Sequence, residues 1–326
     1  PSPMRAVTQP RYGAPESVVL TDAPEPEPKA GEVLVRVHAS SVNAADLEIL
    51  GGWWLVRMAS PLRPANRIVG SDVAGTVERV GPDVSGLQPG DEVMGDLSEH
   101  GFGGFAELVV APVEALAPKP PSLSFIEAAA VPSAAWVAIK GVRAHPLEAG
   151  SRMLINGAGG GMGTFAVQMA VARGARVTGV DRAGKLDLIR SVGAELAIDC
   201  EADDPTHSEH RYDLVLDVQA HRSARDWQRL MAPDGTYRVV GGSGWRIIQS
   251  VLLGQLASRS SQQSLGILPG WPHTRQDMDE VNELIGSGAV RPVIDQVYPL
   301  VEAAAALRHV ADGRAMGKVV VAIAEG

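Results

Sequence analysis

A cluster of glycines near the middle of the chain has the spacing of a phosphate-binding turn. Gly157, Gly160 and Gly163 lie three residues apart, shortly after the apolar run 153–155. Glycine allows backbone angles that are closed to other residues, and it lets a peptide group approach a diphosphate closely. A helix-compatible run follows, and the first N–H groups of a helix attract phosphate. The chemistry that this turn predicts is the binding of a dinucleotide cofactor.

An acidic residue follows this turn where dinucleotide-binding units place one. Asp181 closes a second strand-like run, residues 175–180, and a carboxylate there can accept a hydrogen bond from the ribose 2′-OH. The strict Gly-x-Gly-x-x-Gly spelling is not met, because Met162 stands where the third glycine would fall. The order of strand, turn, helix and strand nevertheless favours a βαβ unit. A glycine-rich turn that binds nothing is the alternative.

Strand-like and helical runs alternate around the turn, which predicts a parallel sheet. Parallel strands need long crossover connections, and these are usually helices. The predicted strands are residues 153–155, 175–180, 195–199, 212–217, 235–242 and 264–268, and the predicted helices include residues 164–173 and 185–192. This part of the chain is therefore expected to form a doubly wound α/β domain.

Residues 1–121 have a different pattern. Short strands, of which residues 32–39 are the clearest, are separated by turns rich in Gly and Pro. Such a series predicts a small barrel. Residues 51–67 are predicted to be irregular. A Pro-rich linker at 117–121 ends the pattern, and the final strand 318–323 is expected to return to this first domain.

Composition and charge exclude several classes of protein. The chain has 326 residues, 45% hydrophobic and 21% charged, which suits a globular protein of two domains. The net charge of −9 argues against a nucleic-acid or anionic-membrane partner, since both need a basic face. Cys200 is the single cysteine, so an internal disulfide and a Cys-based metal cluster are excluded. No secretory signal or membrane-spanning run is apparent, and a cytoplasmic location is expected.

A series of short motifs runs through the chain in a fixed order. They are residues 39–46, 70–81, 90–93, 103–107, 128–132, 157–163, 292–295 and 317–320. Together they resemble the medium-chain dehydrogenase/reductase superfamily, in particular its zinc-free, quinone-oxidoreductase-like branch. The resemblance implies a GroES-like β-barrel domain of residues 1–121 and 270–326, a Rossmann domain of residues 122–269, and a homodimer.

The resemblance also bears on metal chemistry. Zinc-dependent members of the superfamily hold a catalytic zinc with Cys, His and Cys, and the matching positions here are Asn43, Ser71 and Ser133. None of these is a usual zinc ligand, so no zinc is expected. These three residues become the candidate catalytic residues, with Asn43 beside the nicotinamide. A cap for the helix that starts at Ala44 is the alternative role for Asn43, and Asp46 is expected to hold the turn.

NADPH or NADH is the expected cofactor, and the sequence leaves the choice open. Asp181 favours NADH, because a carboxylate repels a 2′-phosphate. Lys185 favours NADPH, since it matches a phosphate-binding lysine of NADPH-using relatives. The predicted cofactor-binding residues are Asn43, Gly157, Gly160, Gly161, Met162, Gly163, Asp181, Arg182, Lys185, Gly241, Gly242 and Lys318.

The predicted function is an NAD(P)H-dependent reductase of a quinone or an enone, a C=C bond conjugated to a carbonyl group. Without a Lewis acid, oxidation of an unactivated alcohol is difficult. Hydride delivery to an electron-poor acceptor needs only positioning in a dry cleft and a few hydrogen-bond donors. Trp53 and Trp54 are candidates for an aromatic wall against the acceptor, or for a packed lid or dimer contact.

Two other functions stay open at this point. An enoyl-thioester reductase of polyketide or lipid biosynthesis would need an apolar cleft with a basic entrance, which Arg57, Arg63 and Arg67 could provide. A cofactor-binding protein with lost catalysis is the other. Departures from the pattern of the relatives, namely Glu48, Leu50 and Val137, favour an unusual acceptor or weak activity.

Overall fold

The chain forms two compact units in the computed structural model, which describes residues 3–65, 67–242, 262–270 and 272–323. The first unit is Pro1–Ala134 with Pro292–Gly326, and the second is Ala135–Arg291. The strands are β1 (Pro3–Thr8), β2 (Val19–Pro24), β3 (Glu32–Ser41), β4 (Asp72–Val80), β5 (Glu92–Asp96), β6 (Leu108–Pro112), β7 (Leu116–Pro118), β8 (Arg152–Asn156), β9 (Arg176–Asp181), β10 (Leu196–Asp199), β11 (Tyr212–Asp217), β12 (Met231–Val239), β13 (Ser264–Ile267), β14 (Ile294–Pro299) and β15 (Lys318–Ala322).

Helices make up much of the rest of the described chain. The α-helices are α1 (Ala44–Gly51), α2 (Trp54–Ala59), α3 (Phe125–Ala129), α4 (Pro132–Val142), α5 (Gly161–Ala172), α6 (Leu186–Ser191), α7 (Ala224–Gln228), α8 (Arg275–Gly286) and α9 (Ala303–Ala311). Short 3₁₀ turns lie at Pro15–Ser17, Val113–Ala115, Ala183–Lys185, Pro205–His207 and Leu300–Glu302. Within the described ranges, no helix has the length and apolar character needed to cross a bilayer.

The first unit is built on a seven-stranded sheet. Its strand order is β14-β15-β3-β4-β5-β7, with β6 paired to β3, and all pairs except β14–β15 are antiparallel. Apolar side chains such as Val35, Val73 and Phe105 fill its core. The strand Lys318–Ala322 pairs with β3, as predicted for the returning tail. This unit is the GroES-like domain that the motifs imply.

The second unit has the predicted parallel sheet. Its strand order is β10-β9-β8-β11-β12-β13, and every pair is parallel. The chain moves outward from β8 to β10 and then returns to the other side of β8 with β11. Ligands of doubly wound sheets bind where the order reverses in this way. The predicted fold class, an α/β protein with a GroES-like barrel and a Rossmann sheet, is confirmed.

One local prediction is wrong. Residues 51–67 were expected to be irregular, but helix α2 lies within them. Trp53 occupies the N-cap position, and the run that follows it contains the good helix formers Leu, Arg, Met and Ala. The helix predicted over residues 185–192 is present as α6, which begins one residue later and ends one residue earlier, and a 3₁₀ turn directly precedes it.

The compact units divide the chain later than the domain boundaries expected at 121 and 269. Helix α8 falls in the second unit, where its buried Asp277 forms ion pairs with Arg143 and with Lys140, 3.6 Å away. Apolar residues of α8 are buried as well. The expected boundaries remain a proposal about which segments fold as domains.

Candidate active site

Asn43 lies where β3 ends and α1 begins. The backbone N–H of Asn43 donates to Asp46 Oδ2 at 2.7 Å, which closes the first turn of the helix. Asn43 thus occupies the N-cap position of α1. Because the backbone is fixed at this point, the side chain of Asn43 is held in a defined direction.

The amide of Asn43 is fully engaged within the first unit. Its Nδ2 donates to Ser71 Oγ at 3.0 Å and to Asp72 Oδ2 at 2.8 Å. Its Oδ1 accepts from Lys318 Nζ at 2.5 Å. Since an amide nitrogen carries only two hydrogens, Asn43 can donate to a bound acceptor only if one of these contacts opens.

Asp72 is the centre of this network, and the sequence interpretation missed it. The residue is fully buried, and its carboxylate accepts from Ser41 Oγ at 2.6 Å and from the backbone N–H of Ser133 at 2.9 Å. Lys318 Nζ lies 3.4 Å from Asp72 Oδ2. Burial raises the pKa of Asp72, and the ammonium of Lys318 opposes that rise. A charged residue at the start of the apolar strand β4 was the available signal.

Asp46 is a second buried carboxyl group beside the first. Its Oδ2 accepts from Ser71 Oγ at 3.2 Å, and Oδ1 is buried with no hydrogen-bond partner within the described ranges. Burial, with a smaller contribution from the negative charge of Asp72, raises the pKa of Asp46 to about 7. At neutral pH this side chain is therefore divided between its acid and carboxylate forms.

Asn43, Ser71 and Ser133 stand at the positions that the resemblance matches to the ligands of a catalytic zinc. Their amide and hydroxyl groups are poor zinc ligands. Lys318 already brings a buried positive charge to the same cluster, and it would repel a second cation. In the part of the chain that the structure describes, three or more His, Cys, Asp or Glu side chains nowhere gather as metal ligands would.

The glycine turn of the second unit lies between β8 and α5. Gly157 has φ +85°, a left-handed value that favours glycine. A Cβ on Gly163 would lie 2.2 Å from the carbonyl oxygen of Gly157, so only glycine fits at this close approach. The first α-helical bond of α5 runs from the Thr164 N–H to the Gly160 carbonyl, 3.0 Å. The N–H groups of Gly161, Met162 and Gly163 precede that bond, which suits them to hold a diphosphate.

Asp181 ends β9 beside the same turn. Its Oδ2 accepts from the Gly159 N–H at 2.9 Å, and its Oδ1 accepts from the Arg182 N–H at 2.9 Å. Lys185 Nζ lies 3.8 Å from Asp181 Oδ1, and both side chains are largely buried. The carboxylate thus stabilises the turn, and the lysine partly balances its charge.

Two further features lie at the carboxyl ends of the parallel strands. Gly241 and Gly242 follow β12, where the Gly241 carbonyl accepts from the Ala220 N–H at 3.1 Å. Asp217, at the end of β11, was not among the predicted residues. It is fully buried and accepts from Asn156 Nδ2 at 2.8 Å, so it orients the last residue of β8. Burial raises the pKa of Asp217.

The structure therefore gathers the predicted residues into two groups, each within one unit. Asn43, Ser71, Lys318 and the backbone of Ser133 form one polar network in the first unit. The glycine turn, Asp181 and Lys185 form the second group in the Rossmann sheet, with the N–H of Arg182 bonded to Asp181. Trp53 and Trp54 are exposed and meet edge to face, with ring centres 5.8 Å apart.

Comparisons with known proteins show the family of the chain. Residues 29–121 match the family described as alcohol dehydrogenase GroES-like domain, and residues 192–321 match the family described as zinc-binding dehydrogenase. The chain is 30% identical to the 2-methylene-furan-3-one reductase of Solanum lycopersicum, over 98% of this chain and 79% of that protein.

Two further relatives cover almost the whole chain. The chloroplastic quinone oxidoreductase QR1 of Triphysaria versicolor is 30% identical over 98% of both chains. The solved structure of the quinone oxidoreductase from Coxiella burnetii has a TM-score of 0.88 and covers 99% of this chain and 100% of its own. Because it is only 24% identical, that likeness concerns the fold alone.

Proposed function

Because the chain belongs to the medium-chain dehydrogenase/reductase superfamily, we propose that it is a zinc-independent reductase that transfers hydride from NADPH or NADH to a quinone or an enone. The buried network of Asn43, Asp72 and Lys318 supports this proposal most directly. The resemblance matches Asn43, Ser71 and Ser133 to the zinc ligands of other members, and the ammonium group of Lys318 lies in this same cluster. Hydride transfer to an acceptor that is already electron-poor does not need a Lewis acid.

The acceptor class is supported by the relatives. The Solanum protein is named for reduction of a conjugated methylene-furanone, and the Triphysaria protein for reduction of quinones. In both acceptor classes the charge that arrives with the hydride is delocalised onto an oxygen atom. A polar network that needs no metal is sufficient to position such an acceptor. We assign this positioning to Asn43, Ser71 and Ser133.

The nicotinamide cofactor supplies the hydride when it is bound. The backbone of Gly157, Gly160, Gly161, Met162 and Gly163 would hold its diphosphate. Asp181 and Lys185 would face its adenosine ribose, with the backbone N–H of Arg182 fixing the carboxylate of Asp181. Gly241 and Gly242 would border the bound cofactor at the end of β12, and Lys318 would act through Asn43.

The choice between NADPH and NADH depends on the pair Asp181 and Lys185. The ammonium of Lys185 reduces the repulsion between Asp181 and a 2′-phosphate. We therefore propose that both cofactors bind. Asp181→Asn should shift the ratio of kcat/KM values toward NADPH, and Lys185→Met should shift it toward NADH. Equal effects of both substitutions on the two cofactors would contradict these roles.

The activity can be tested by following oxidation of NADPH and NADH with a benzoquinone, a small enone and an enoyl thioester. Turnover of the quinone or the enone that is unchanged by a chelator is the expected result. Loss of turnover in chelator, with recovery on addition of Zn²⁺, would overturn zinc independence. Preference for the enoyl thioester would move the function to acyl-chain reduction, and cofactor binding without turnover would favour a protein that has lost catalysis.

The homodimer is a prediction from the resemblance, and the cytoplasmic location is a prediction from the sequence. A homodimer would give twice the chain mass of 34.2 kDa by light scattering. A cytoplasmic location is expected from the sequence, whereas the name of the Triphysaria relative places that protein in the chloroplast. Microscopy of the tagged protein would decide the location.

A further inference from the structure

Residues 53–63 form an exposed surface of the first unit. Four large apolar side chains within ten positions are exposed to solvent. They are Trp53, Trp54, Met58 and Leu62, with relative exposures of 37%, 53%, 73% and 88%. Most exposed apolar side chains of a globular protein are scattered singly, whereas several of them close together often mark an interaction site. We call these four residues, with Arg57 and Arg63, the Trp–Arg surface.

The Trp–Arg surface is held in place by the rest of the first unit. The hydroxyl of Tyr12 donates to the Ser60 carbonyl at 2.7 Å, and its ring stacks under the guanidinium of Arg57 at 4.7 Å. Arg57 Nε also donates to the Gly52 carbonyl at 2.9 Å. The hydroxyl of Ser60 donates to the Arg63 carbonyl at 2.5 Å. These bonds satisfy local polar groups, so the segment presents its apolar side chains on a fixed backbone.

The charge of this segment is opposite to that of the whole protein. The chain carries a net charge of −9, but residues 49–71 contain Arg57, Arg63 and Arg67 and no Asp or Glu. All three arginines are exposed. The argument from net charge against an anionic partner therefore does not apply to this face, because electrostatic attraction at a surface depends on charges within about 10 Å.

We propose that the Trp–Arg surface docks the protein on an anionic lipid bilayer. Tryptophan is favoured at the boundary between headgroups and acyl chains, and Met58 and Leu62 would enter the acyl region beside it. The exposed arginines would contact lipid phosphates. A second copy of the chain is a poorer occupant, since a two-fold interface centred here would bring like-charged arginines together.

Only the biological purpose of membrane docking rests on the proposed function. Quinones with long apolar tails dissolve in bilayers, and a reductase that rests on the surface of a bilayer would reach them there. The binding itself needs neither cofactor nor acceptor. Docking and catalysis can therefore succeed or fail separately.

The test is co-sedimentation of the full chain with vesicles, without cofactor or acceptor. The chain should bind vesicles of phosphatidylcholine and phosphatidylglycerol, bind pure phosphatidylcholine far less, and be released by high salt. Arg63→Ser, which removes one positive charge of the surface, should weaken binding about fivefold. Trp53→Ser with Trp54→Ser should abolish binding, together with the quenching of tryptophan fluorescence by brominated lipid.

Matched controls are available elsewhere on the chain. Val301→Ser removes an apolar side chain that is 63% exposed, and Arg229→Ser removes an exposed arginine, so neither should alter vesicle binding.

Three results would overturn the proposal. One is wild-type binding that is absent or independent of anionic lipid. Another is a dimer that dissociates in the Trp variant, which would make the surface an interface between copies. The third is a Trp variant that binds vesicles as the wild type does but has a raised KM for a water-soluble quinone. That result would mean that the tryptophans form a wall against the acceptor.

Discussion

The polar network of the first unit contains the buried positive charge of Lys318, which balances the negative charge of Asp72. Its ammonium is almost completely buried and contacts Asn43 Oδ1, while Asp72 beside it has no exposure to solvent. A buried ion pair contributes little net stability compared with apolar residues of the same size. Loss of one partner is severe, however, because the other charge is left without compensation.

Lys318→Met should therefore destabilise the protein by about 3 to 5 kcal/mol. The reason is that Asp72 would lose the one ammonium group that lies within 4 Å of it among the described residues. The measurement is urea unfolding at neutral pH. Lys119→Met is the matched control, since Lys119 is buried but pairs with Glu92, whose side chain is half exposed. Adding Asp72→Asn to Lys318→Met should recover part of the loss, and no recovery would contradict the charge argument.

The raised pKa of Asp46 predicts a pH dependence of stability. The folded protein holds this proton up to about pH 7, whereas an unfolded aspartate releases it near its ordinary value of 3.8. Stability from this group is therefore complete below that ordinary value and is lost as the pH rises through 7. Asp46→Asn keeps the acceptor for Asn43 and Ser71 and cannot ionise.

We expect the free energy of unfolding of Asp46→Asn, relative to the wild type, to improve by about 2 kcal/mol between pH 5 and pH 8. Urea unfolding at several pH values measures this difference. Asp234→Asn is a control in which an exposed carboxyl group is removed. A constant difference between Asp46→Asn and wild type across this range would show that Asp46 stays ionised in the folded state.

At the scale of single residues, the sequence reveals residue types but not which groups their side chains contact. Asn43 and Ser71 could be selected because they match a motif, and the structure does place their side chains 3.0 Å apart. Asp72 was missed because one acidic residue in an apolar strand does not reveal what surrounds it. The partners of Asp72 come from β3, α4 and β15, which are far apart along the chain.

The turn between β8 and α5 supports a prediction at the scale of the element. A methyl group at Gly163 would collide with the Gly157 carbonyl, whereas at Gly160 its nearest neighbour would lie at 3.6 Å. Gly163→Ala should therefore destabilise the fold by about 1 to 3 kcal/mol. Gly160→Ala should leave stability nearly unchanged but weaken NADPH binding, because the methyl group would face the diphosphate.

Thermal unfolding and cofactor titration separate these two effects. A Gly160→Ala variant with normal NADPH affinity would mean that the diphosphate does not approach this part of the turn. A Gly163→Ala variant with normal stability would mean that α5 can shift away from the turn without loss.

Elements were predicted well where apolar periodicity decides them. The strand 212–217 has the predicted bounds, and the βαβ unit around the glycine turn is confirmed. The prediction failed for α2, whose six residues are too few to show a helical period. Short helices of this kind depend on tertiary contacts, here those of Tyr12 with Ser60 and Arg57.

At the scale of the whole molecule, the parallel pairing of the strands follows from the alternation of strands and helices, but the extent of each unit does not. Helix α8 comes after the last strand of the parallel sheet, and the resemblance implies that residues 270–326, which include it, belong to the first domain. Its buried residues Met278, Val281 and Ile285, and the ion pairs of Asp277, place it in the second unit instead. Such contacts cannot be inferred from local periodicity.

Two matched fragments would test whether α8 is part of the domain that binds the cofactor. Both begin at Pro132, which keeps α4 whole, and they end at residues 291 and 269. The longer fragment should unfold cooperatively and bind NADPH. The shorter one should not fold, because it loses three buried apolar side chains worth about 5 kcal/mol together, comparable to the entire stability of a small domain. It also leaves Arg143 without Asp277.

Asp277→Asn in the longer fragment isolates the ion pairs and should lower the unfolding midpoint without abolishing folding. Equal urea midpoints for the two fragments would show that residues 270–291 are not needed by this unit, and would favour the earlier boundary.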